Sequence, residues 1–360
     1  MSNIQYLLAL HSIDGLGPIR LKAVLDYFKD PKLGWEANTD ELIKIGIPRP
    51  TVDLLVETRR KLEPETYLDS IKDAGIKWIT IYDEVYPSLL REIYDPPIVL
   101  YYQGEVNWDN KAIAVVGTRK MTGYGRAVTE QFTQGLVDGG LTIVSGLALG
   151  VDSQAHRVAV KMNGRTMAVL GGGLSQIYPP ENRNLAQEII KGSGVIISEL
   201  PPDYPSLPGN FPSRNRIISG LSLAVLVTEA AEDSGSLITA RLALEQGRDV
   251  FAVPGPITSD LSKGPIDLIK EGARPVISPQ EILDELGIVG IQNEEFRIQS
   301  EKNLSEGEIR VLDCLENDSL HIDDICRVLN LPASQVSANL LKMEIAGLVR
   351  NLGSGTYCKA

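Results

Sequence analysis

The sequence predicts an α/β protein built on an extended Rossmann-like core with a mostly parallel sheet. Short apolar segments recur between Ala112 and Pro254, and each is followed by a turn of small residues that opens a helical stretch. Segments that are apolar on both faces and alternate with helices are typical of parallel strands covered by helices on both sides. The chain has 360 residues, 43% of them hydrophobic, which suffices for a large core and more than one domain.

A small helical domain, of the helix-hairpin-helix or SAM-like type, is predicted at residues 1–65. The stretch from Ile4 to Arg60 is helical in character, and Gly15-Leu16-Gly17 lies between two of its short helices. The turn of a helix-hairpin-helix can present backbone N–H groups to a phosphate, but glycine at a helix end is also an ordinary structural feature. Both interpretations of this turn stay open.

The Rossmann-like core is predicted at residues 66–290. Its lead-in segments, which we expect to extend the sheet as strands, are Ile76–Ile81, Tyr86–Leu90 and Asp95–Leu100. The central strands are predicted at Ala112–Val116, Leu141–Val144, Thr166–Leu170, Leu223–Val227 and Val250–Val253. In a parallel sheet the turns after these strands share one carboxyl edge, where helix N-termini converge and ligands bind.

A polar linker at residues 291–302 is followed by a predicted winged helix-turn-helix domain at 303–360. Helices are predicted at Glu306–Leu315, Ile322–Leu329 and Pro332–Ala346, and a hairpin with a glycine tip at Leu348–Cys358. This domain has five basic and eight acidic side chains, and its third helix offers only Lys342 to a phosphate. Since reading DNA needs phosphate-pairing residues around the reading helix, we expect a protein-contacting or regulatory role instead.

The turn after the first core strand argues against two common ligands. No Gly-x-x-x-x-Gly-Lys-Ser/Thr occurs, and no Gly-x-Gly-x-x-Gly follows the strand, so ATP hydrolysis and NAD chemistry lack their usual motifs. The turn Gly117-Thr118-Arg119 instead provides a guanidinium, and Arg214 and Arg216 provide two more planar groups that match phosphate oxygens. Phe211 offers a face on which a base can stack. This combination indicates single-stranded nucleic acid.

Several blocks of the sequence resemble the signature motifs of the DNA-processing protein A family, DprA or Smf. They stand in the family's order from about Tyr86 to Arg274, and they comprise Val116–Arg119, Ser145–Asp152 with His156, Tyr178–Asn182, Phe211–Ser222, Ser234–Ala240 and Gly247–Gly255. The resemblance implies a non-enzymatic bacterial protein of natural transformation. Such a protein binds and protects incoming single-stranded DNA, helps to load the RecA recombinase, and forms a homodimer, which we expect to be joined through the Rossmann-like core.

The residues that we expect to contact DNA lie in these blocks. They are Gly117, Thr118, Arg119, Ser145, Gly146, Asn182, Phe211, Arg214, Asn215, Arg216, Gly235 and Ser236. Several glycines also have a structural interpretation, because tight strand-to-helix turns favour backbone angles that other residues resist. Ser234-Gly235-Ser236 is compatible with a helix cap and with an anion-binding nest. Glu199 and Glu229 end strands at the same edge and are expected to hold an arginine or a backbone N–H.

No catalytic residue, metal or cofactor is predicted. Asp152 and His156 lie one helical turn apart, which suits an acid/base pair or two metal ligands, but a role for Asp152 in holding His156 or a nearby loop is favoured. Cys314, Cys326 and Cys358 form no C-x-x-C pair and are expected to be reduced thiols. Neither a signal peptide nor a membrane span is recognisable, so a cytoplasmic location is expected.

The net charge of −12, with a pI near 4.9, limits how DNA can be bound. A chain this acidic cannot coat DNA by bulk electrostatics, so binding must depend on clustered arginines. The alternative function is that of a nucleotide-binding enzyme, such as a Lonely Guy-type phosphoribohydrolase. Its motif, Pro-Gly-Gly-x-Gly-Thr-x-x-Glu, has only a weak counterpart in Asp233–Ala240, which lacks the glycine run and the catalytic glutamate.

Overall fold

The computed structural model describes residues 3–108, 111–288, 306–315, 319–329, 331–345, 349–353 and 355–359. The chain divides into two compact units, Met1–Ile282 and Leu283–Ala360. The predicted linker and parts of the predicted terminal hairpin lie outside the described residues. The predicted boundaries at residues 290 and 302 fall in this part of the chain and stay predictions, as does the boundary at residue 65.

The first unit opens with six helices. They are α1 (Ile4–His11), α2 (Pro18–Phe28), α3 (Pro31–Glu36), α4 (Thr39–Lys44), α5 (Arg49–Arg59) and α6 (Pro64–Asp73). Local signals place their starts: Asn38 and Glu41 form a reciprocal capping box at α4, and proline begins α2. The turn between α1 and α2 contains Gly15, whose φ of +81° favours glycine.

These helices share a core with the sheet that follows them. His11 Nδ1 in α1 lies 3.2 Å from the Tyr101 hydroxyl, in the second strand of the sheet, and both side chains are buried. Burial lowers the pKa of His11 to about 4, so its ring is neutral at pH 7. The helical segment therefore packs as part of the first compact unit.

The sheet of the first unit has nine strands among the described residues. They are β1 (Lys77–Thr80), β2 (Val99–Gly104), β3 (Ala112–Val116), β4 (Thr142–Ser145), β5 (Thr166–Val169), β6 (Gly194–Ser198), β7 (Ala224–Val227), β8 (Asp249–Ala252) and β9 (Arg274–Pro275). Their order is β1-β2-β6-β5-β4-β3-β7-β8-β9. The pairs β1–β2 and β2–β6 are antiparallel, and the other neighbours are parallel. This confirms the predicted mostly parallel sheet.

The helices that follow α6 lie between these strands in the chain, except the last one, which comes after β9. They are α7 (Ser88–Arg91), α8 (Gly123–Asp138), α9 (Val151–Lys161), α10 (Arg183–Lys191), α11 (Asn210–Gly220), α12 (Gly235–Glu245), α13 (Lys263–Lys270) and α14 (Pro279–Glu285). One prediction is wrong: the segment Tyr86–Leu90 is no strand, because the first turn of α7 starts there. Pro87 cannot donate to a strand ladder, and it stands at the N-cap of that helix.

The second unit contains the helices α15 (Glu306–Cys314), α16 (Ile322–Leu329) and α17 (Ala333–Ile345). A three-stranded antiparallel sheet accompanies them, formed by β10 (Leu320–His321), β11 (Val349–Gly353) and β12 (Thr356–Lys359). This order of three helices and a terminal hairpin confirms the predicted winged helix. Its core is apolar, and residues such as Val311, Ile325 and Leu340 have no exposed surface.

Candidate functional site

A cleft of about 820 Å³ opens at the carboxyl edge of the parallel sheet. From β3 the chain proceeds to β4, β5 and β6 on one side, and it then returns to place β7 on the other side of β3. Ligands of open α/β sheets bind where the strand order reverses in this way. The walls come from the turn after β3, the first half of α11 and the start of α12.

The mouth of the cleft combines a cation with two aromatic rings. The Arg119 guanidinium lies 5.6 Å from the centroid of the Phe211 ring, and the Tyr178 ring lies 5.7 Å from Phe211 on a tilted plane. Arg119 is exposed, and among the described residues no carboxylate forms an ion pair with it. A phosphate contact at Arg119 and a flat apolar group against Phe211 are therefore compatible at one place.

Arg214 lies in the wall of the same cleft but is buried. Its Nη1 donates to the carbonyl of Gly146 at 2.8 Å and to that of Val169. Burial lowers the pKa of its guanidinium to about 10, while the carboxylate of Asp152 acts in the opposite direction. The side chain is thus held in place by the ends of two strands, and it contributes a fixed positive charge to the wall.

Asp152 holds the loop after β4, as the sequence favoured. Its Oδ2 accepts a hydrogen bond from the Gly146 amide at 3.1 Å, and burial raises its pKa although Arg214 opposes that shift. His156 contacts the Thr166 hydroxyl at 2.7 Å, and burial lowers the pKa of the ring to about 3. Within the part of the chain that the structure describes, no three His, Cys, Asp or Glu residues are grouped to hold a metal.

The start of α12 supplies hydroxyl and backbone groups. Ser234 is the N-cap residue, and its hydroxyl accepts from the Ser236 amide and lies 2.8 Å from the Ser236 hydroxyl. Asn215 reaches across from α11 and donates to the Gly235 carbonyl at 3.2 Å. The cap is therefore observed, and the predicted anion-binding role of this helix N-terminus is compatible with it, because both use the same free end of the helix.

Four of the residues expected to contact DNA do not line this cleft. Arg216 points to two carboxylates, with Nη2 at 2.5 Å from Glu199 and Nε at 3.0 Å from Asp95. The buried Asn182 side chain donates to the Leu147 carbonyl at 2.8 Å, and the buried Ser145 hydroxyl donates to Val115 at 2.7 Å. Gly146 packs on the Arg214 guanidinium. In the structure these four residues support the cleft.

The remaining expected residues line the cleft together, and so do several that the sequence analysis passed over. The expected group is Gly117, Thr118, Arg119, Phe211, Arg214, Asn215, Gly235 and Ser236. The added ones include Lys120 and Tyr178, which is 49% exposed. Tyr178 belongs to the block Tyr178–Asn182 but was not predicted to contact DNA. The presence of an aromatic residue in the loop after β5, at the ligand edge, was the signal that could have identified it.

The two glutamates at the ends of strands have the roles expected of them. Glu229 accepts hydrogen bonds from the Thr122 amide at 2.9 Å and the Thr122 hydroxyl at 2.6 Å. Glu199 pairs with Arg216, and burial raises the pKa of this carboxyl although Arg216 opposes the shift. Both carboxylates are therefore engaged by neighbouring groups of the scaffold.

The glycines around the cleft are not explained by unusual backbone angles. Neither Gly117 nor any of Gly146, Gly171, Gly172 and Gly173 has a positive φ. They are small because neighbours approach closely: a Cβ on Gly171 would lie 2.7 Å from the Phe211 ring, and one on Gly117 would lie 2.6 Å from the Glu229 carbonyl. The turn interpretation is therefore wrong for these positions, and close packing replaces it.

Comparison with known protein families gives two matches. Residues 77–287 match the family described as DNA recombination-mediator protein A, and residues 297–355 match the DprA winged helix domain. Among curated relatives, a protein Smf of Synechocystis is 36% identical over 381 residues, which covers 96% of each chain.

Solved structures of two proteins with the same description are similar to the chain. The structure of DNA processing protein A from Streptococcus pneumoniae superposes with a TM-score of 0.68 at 38% identity, covering 79% of this chain and 99% of that one. A structure that describes the single-stranded DNA binding mode of DNA processing protein A from Helicobacter pylori superposes with a TM-score of 0.53 at 32% identity. It covers 58% of this chain and 95% of that one.

Proposed function

Because the chain belongs to the DNA recombination-mediator protein A family, also called DprA or Smf, we propose that it binds single-stranded DNA in the cleft at the carboxyl edge of its sheet. The observation that carries this proposal is the placement of Arg119 over the half-buried Phe211 ring, next to Tyr178. Single strands are bound by such pairs of backbone-binding cations and stacking rings.

Each part of the cleft has a role in this proposal. Arg119 binds a phosphate through its planar guanidinium, and a base stacks against Phe211 or Tyr178. The free N–H groups at the start of α12 face the same space and favour a negative ligand. Arg214 contributes a positive charge to the wall. Its hydrogen bonds to the Gly146 and Val169 carbonyls hold its side chain in place, so it does not move to contact the ligand directly. No group in this scheme reads a base edge, so binding is independent of sequence.

The proposal extends to a role in natural transformation. The resemblance to the family supports a cytoplasmic protein that protects incoming single strands, helps to load RecA, and acts as a binding protein rather than an enzyme. A homodimer joined through the Rossmann-like core would place two clefts along one strand. Light scattering is expected to show a dimer, and the protein is expected to accelerate RecA filament formation on single strands. A monomer in solution would contradict the proposed homodimer. Filament formation that is no faster with the protein would contradict the proposed role in loading RecA.

The experiment that tests DNA binding is fluorescence anisotropy with a labelled oligo-dT. The wild-type protein is expected to bind, and Phe211→Ala is expected to weaken binding by about 1 to 3 kcal/mol through lost stacking, with little change in salt dependence. Tyr94→Ala serves as the control, because Tyr94 is 95% exposed and lines no part of the cleft. A folded wild-type protein that binds no oligo-dT would contradict the proposal.

A second assay addresses the enzymatic alternative. Incubation of the protein with nucleoside monophosphates is expected to release no free base. Among the described residues, two carboxylates line the cleft: Asp152, which is engaged with Gly146 and Arg214, and Asp233 beside the cap of α12. Release of a free base at a rate that Asp233→Asn abolishes would favour a phosphoribohydrolase.

A further inference from the structure

A second cleft of about 500 Å³ adjoins the first. Arg119 and Lys120 line both clefts, so the turn after β3 forms their common border. The other residues of the second cleft come from the end of the same turn, from α8, from the turn before α9 and from α9 itself. They are Met121, Arg126, Gly150, Ser153, Gln154 and Arg157.

The lining of the second cleft is basic. Its four charged side chains are all positive, and all four are exposed: Arg119, Lys120, Arg126 and Arg157. In the part of the chain that the structure describes, no carboxylate lies within ion-pair distance of any of them. Arg157 donates a hydrogen bond to the Asn182 amide oxygen at 3.4 Å, and Arg119 contacts the Phe211 ring. Four unpaired cations in a chain with a net charge of −12 indicate a site for an anion.

The backbone holds the two clefts in a fixed relation. Gly150 has a φ of +80°, and a Cβ there would collide with the carbonyl of Thr118 and the backbone of Arg119. The Thr118 carbonyl also accepts a hydrogen bond from the Val151 amide at 3.1 Å. The turn carrying Arg119 is therefore fastened to the start of α9. Arg126 and Arg157 project from helices, so the backbone positions from which these cations reach a ligand are fixed.

We propose that the second cleft binds the sugar–phosphate backbone of the single strand where it leaves the first cleft. The lining contains no aromatic side chain, so it offers nothing on which a base could stack. Arginine and lysine side chains, with Gln154 and Ser153 as neutral donors, match a series of phosphates instead. The strand thus has a stacked segment at Phe211 and a segment held by phosphate contacts alone. This inference rests on the proposed function.

The test uses the full chain and two lengths of labelled oligo-dT. An oligonucleotide of about 3 nucleotides fills only the first cleft, whereas one of about 12 can extend into the second. The double variant Arg126→Ala with Arg157→Ala is expected to bind the short one as the wild type does. For the long one, each lost phosphate contact reduces the salt slope by about 0.7, which at about 0.1 M salt corresponds to roughly fivefold in affinity. The expected loss is therefore about 25-fold.

Two controls make the result specific. Arg60→Ala removes an exposed arginine that lines neither cleft, and it is expected to leave both affinities unchanged. The double variant Arg126→Lys with Arg157→Lys keeps both charges. Its affinity for the long oligonucleotide is expected to be close to that of the wild type. Thermal unfolding should be unaffected, because both arginines are exposed.

The outcomes separate the inference from the proposed function. Wild-type binding of both oligonucleotides with no loss in the double variant overturns the inference and leaves the proposed function standing. An equal loss for both lengths also overturns it, since the arginines would then serve the first cleft. If the folded wild type binds neither oligonucleotide, the proposed function fails and the inference fails with it.

Discussion

Three arginines of the sequence blocks lie near the ligand edge of the sheet, and their partners decide what each can do. Arg119 is exposed and contacts the Phe211 ring, Arg214 is buried and bonded to two carbonyls, and Arg216 is buried between two carboxylates. A side chain whose charge is already compensated gains little from a phosphate. At the scale of the residue, Arg119 is therefore the one arginine of the three expected to dominate DNA affinity.

Replacing Arg119 tests that ranking. Arg119→Ala is expected to weaken oligo-dT binding by about 1 to 3 kcal/mol, the range for a charge-assisted hydrogen bond whose partner is left unpaired. Arg119→Lys is expected to recover only part of the loss, because an ammonium keeps the charge but lacks the planar fork. Fluorescence anisotropy measures both affinities, and circular dichroism confirms that the variants fold. Wild-type affinity in folded Arg119→Ala would remove this residue from the site.

Replacement of Arg216 is expected to lower the stability of the fold rather than to affect DNA binding directly. Arg216→Ala leaves the Glu199 carboxylate, whose side chain is only 14% exposed, without its partner, and breaking a fully buried ion pair costs about 3 to 5 kcal/mol, which is the upper bound expected here. Urea unfolding followed by circular dichroism measures the free energy of unfolding. If Arg216→Ala unfolds like the wild type and loses DNA binding instead, Arg216 is a ligand contact after all.

At the scale of the element, the junction between the turn after β3 and the start of α9 fixes the position of Arg119. The Thr118 amide donates to the Glu229 carbonyl at 2.7 Å, and the Thr118 carbonyl accepts from Val151. Glu229 in turn fastens Thr122 ahead of α8. The turn after β3 is thus bonded to the start of α9 and to the segment after β7. Gly150 allows the backbone before α9 to approach that of Thr118 and Arg119.

Substitution of Gly150 tests this junction. Gly150→Ala forces an L residue into the left-handed region and into the Thr118 carbonyl, so we expect a loss of about 1 to 3 kcal/mol in stability and weaker DNA binding. Gly123→Ala at the start of α8 is the matched control, because nothing lies within 4 Å of its added Cβ. Thermal melting and oligo-dT titration measure the two effects. If the two variants have the same melting temperature and the same affinity for oligo-dT, the close approach at Gly150 is not needed to position Arg119.

At the scale of the whole molecule, the cleft belongs entirely to the first compact unit. The winged helix forms its own core in the second unit, and its sequence has more acidic than basic side chains. No described helix is long and apolar enough to span a membrane. We therefore expect the first unit to bind DNA and the winged helix to contact a different partner.

Removal of the residues after Gly290 tests this division. The truncated chain is expected to retain oligo-dT binding within about twofold, because every residue that lines the two clefts precedes that position. Anisotropy gives the affinity, and a cooperative melting transition shows whether the shortened chain folds. A folded truncation that no longer binds would mean that the acidic winged helix takes part in DNA binding.

The sequence by itself determined the architecture of the core. Strands such as Ala112–Val116, the glycine-rich turns and the order of the helices depend on neighbours in the chain, and local patterns therefore predict them. The same patterns placed Arg119 and Phe211 at the carboxyl edge. The lead-in segment Tyr86–Leu90 was predicted wrongly, because a short apolar run does not distinguish a strand from a helical turn.

Only the tertiary structure decided which polar side chains face the cleft. Arg216 follows Arg214 by two residues on one helix, yet Arg216 meets Glu199 and Asp95 while Arg214 meets carbonyls of two strands. Tyr178 reaches Phe211 from a loop after another strand. Contacts between residues far apart in the chain depend on the direction in which each element presents its side chains, and that direction is set by packing rather than by the local sequence.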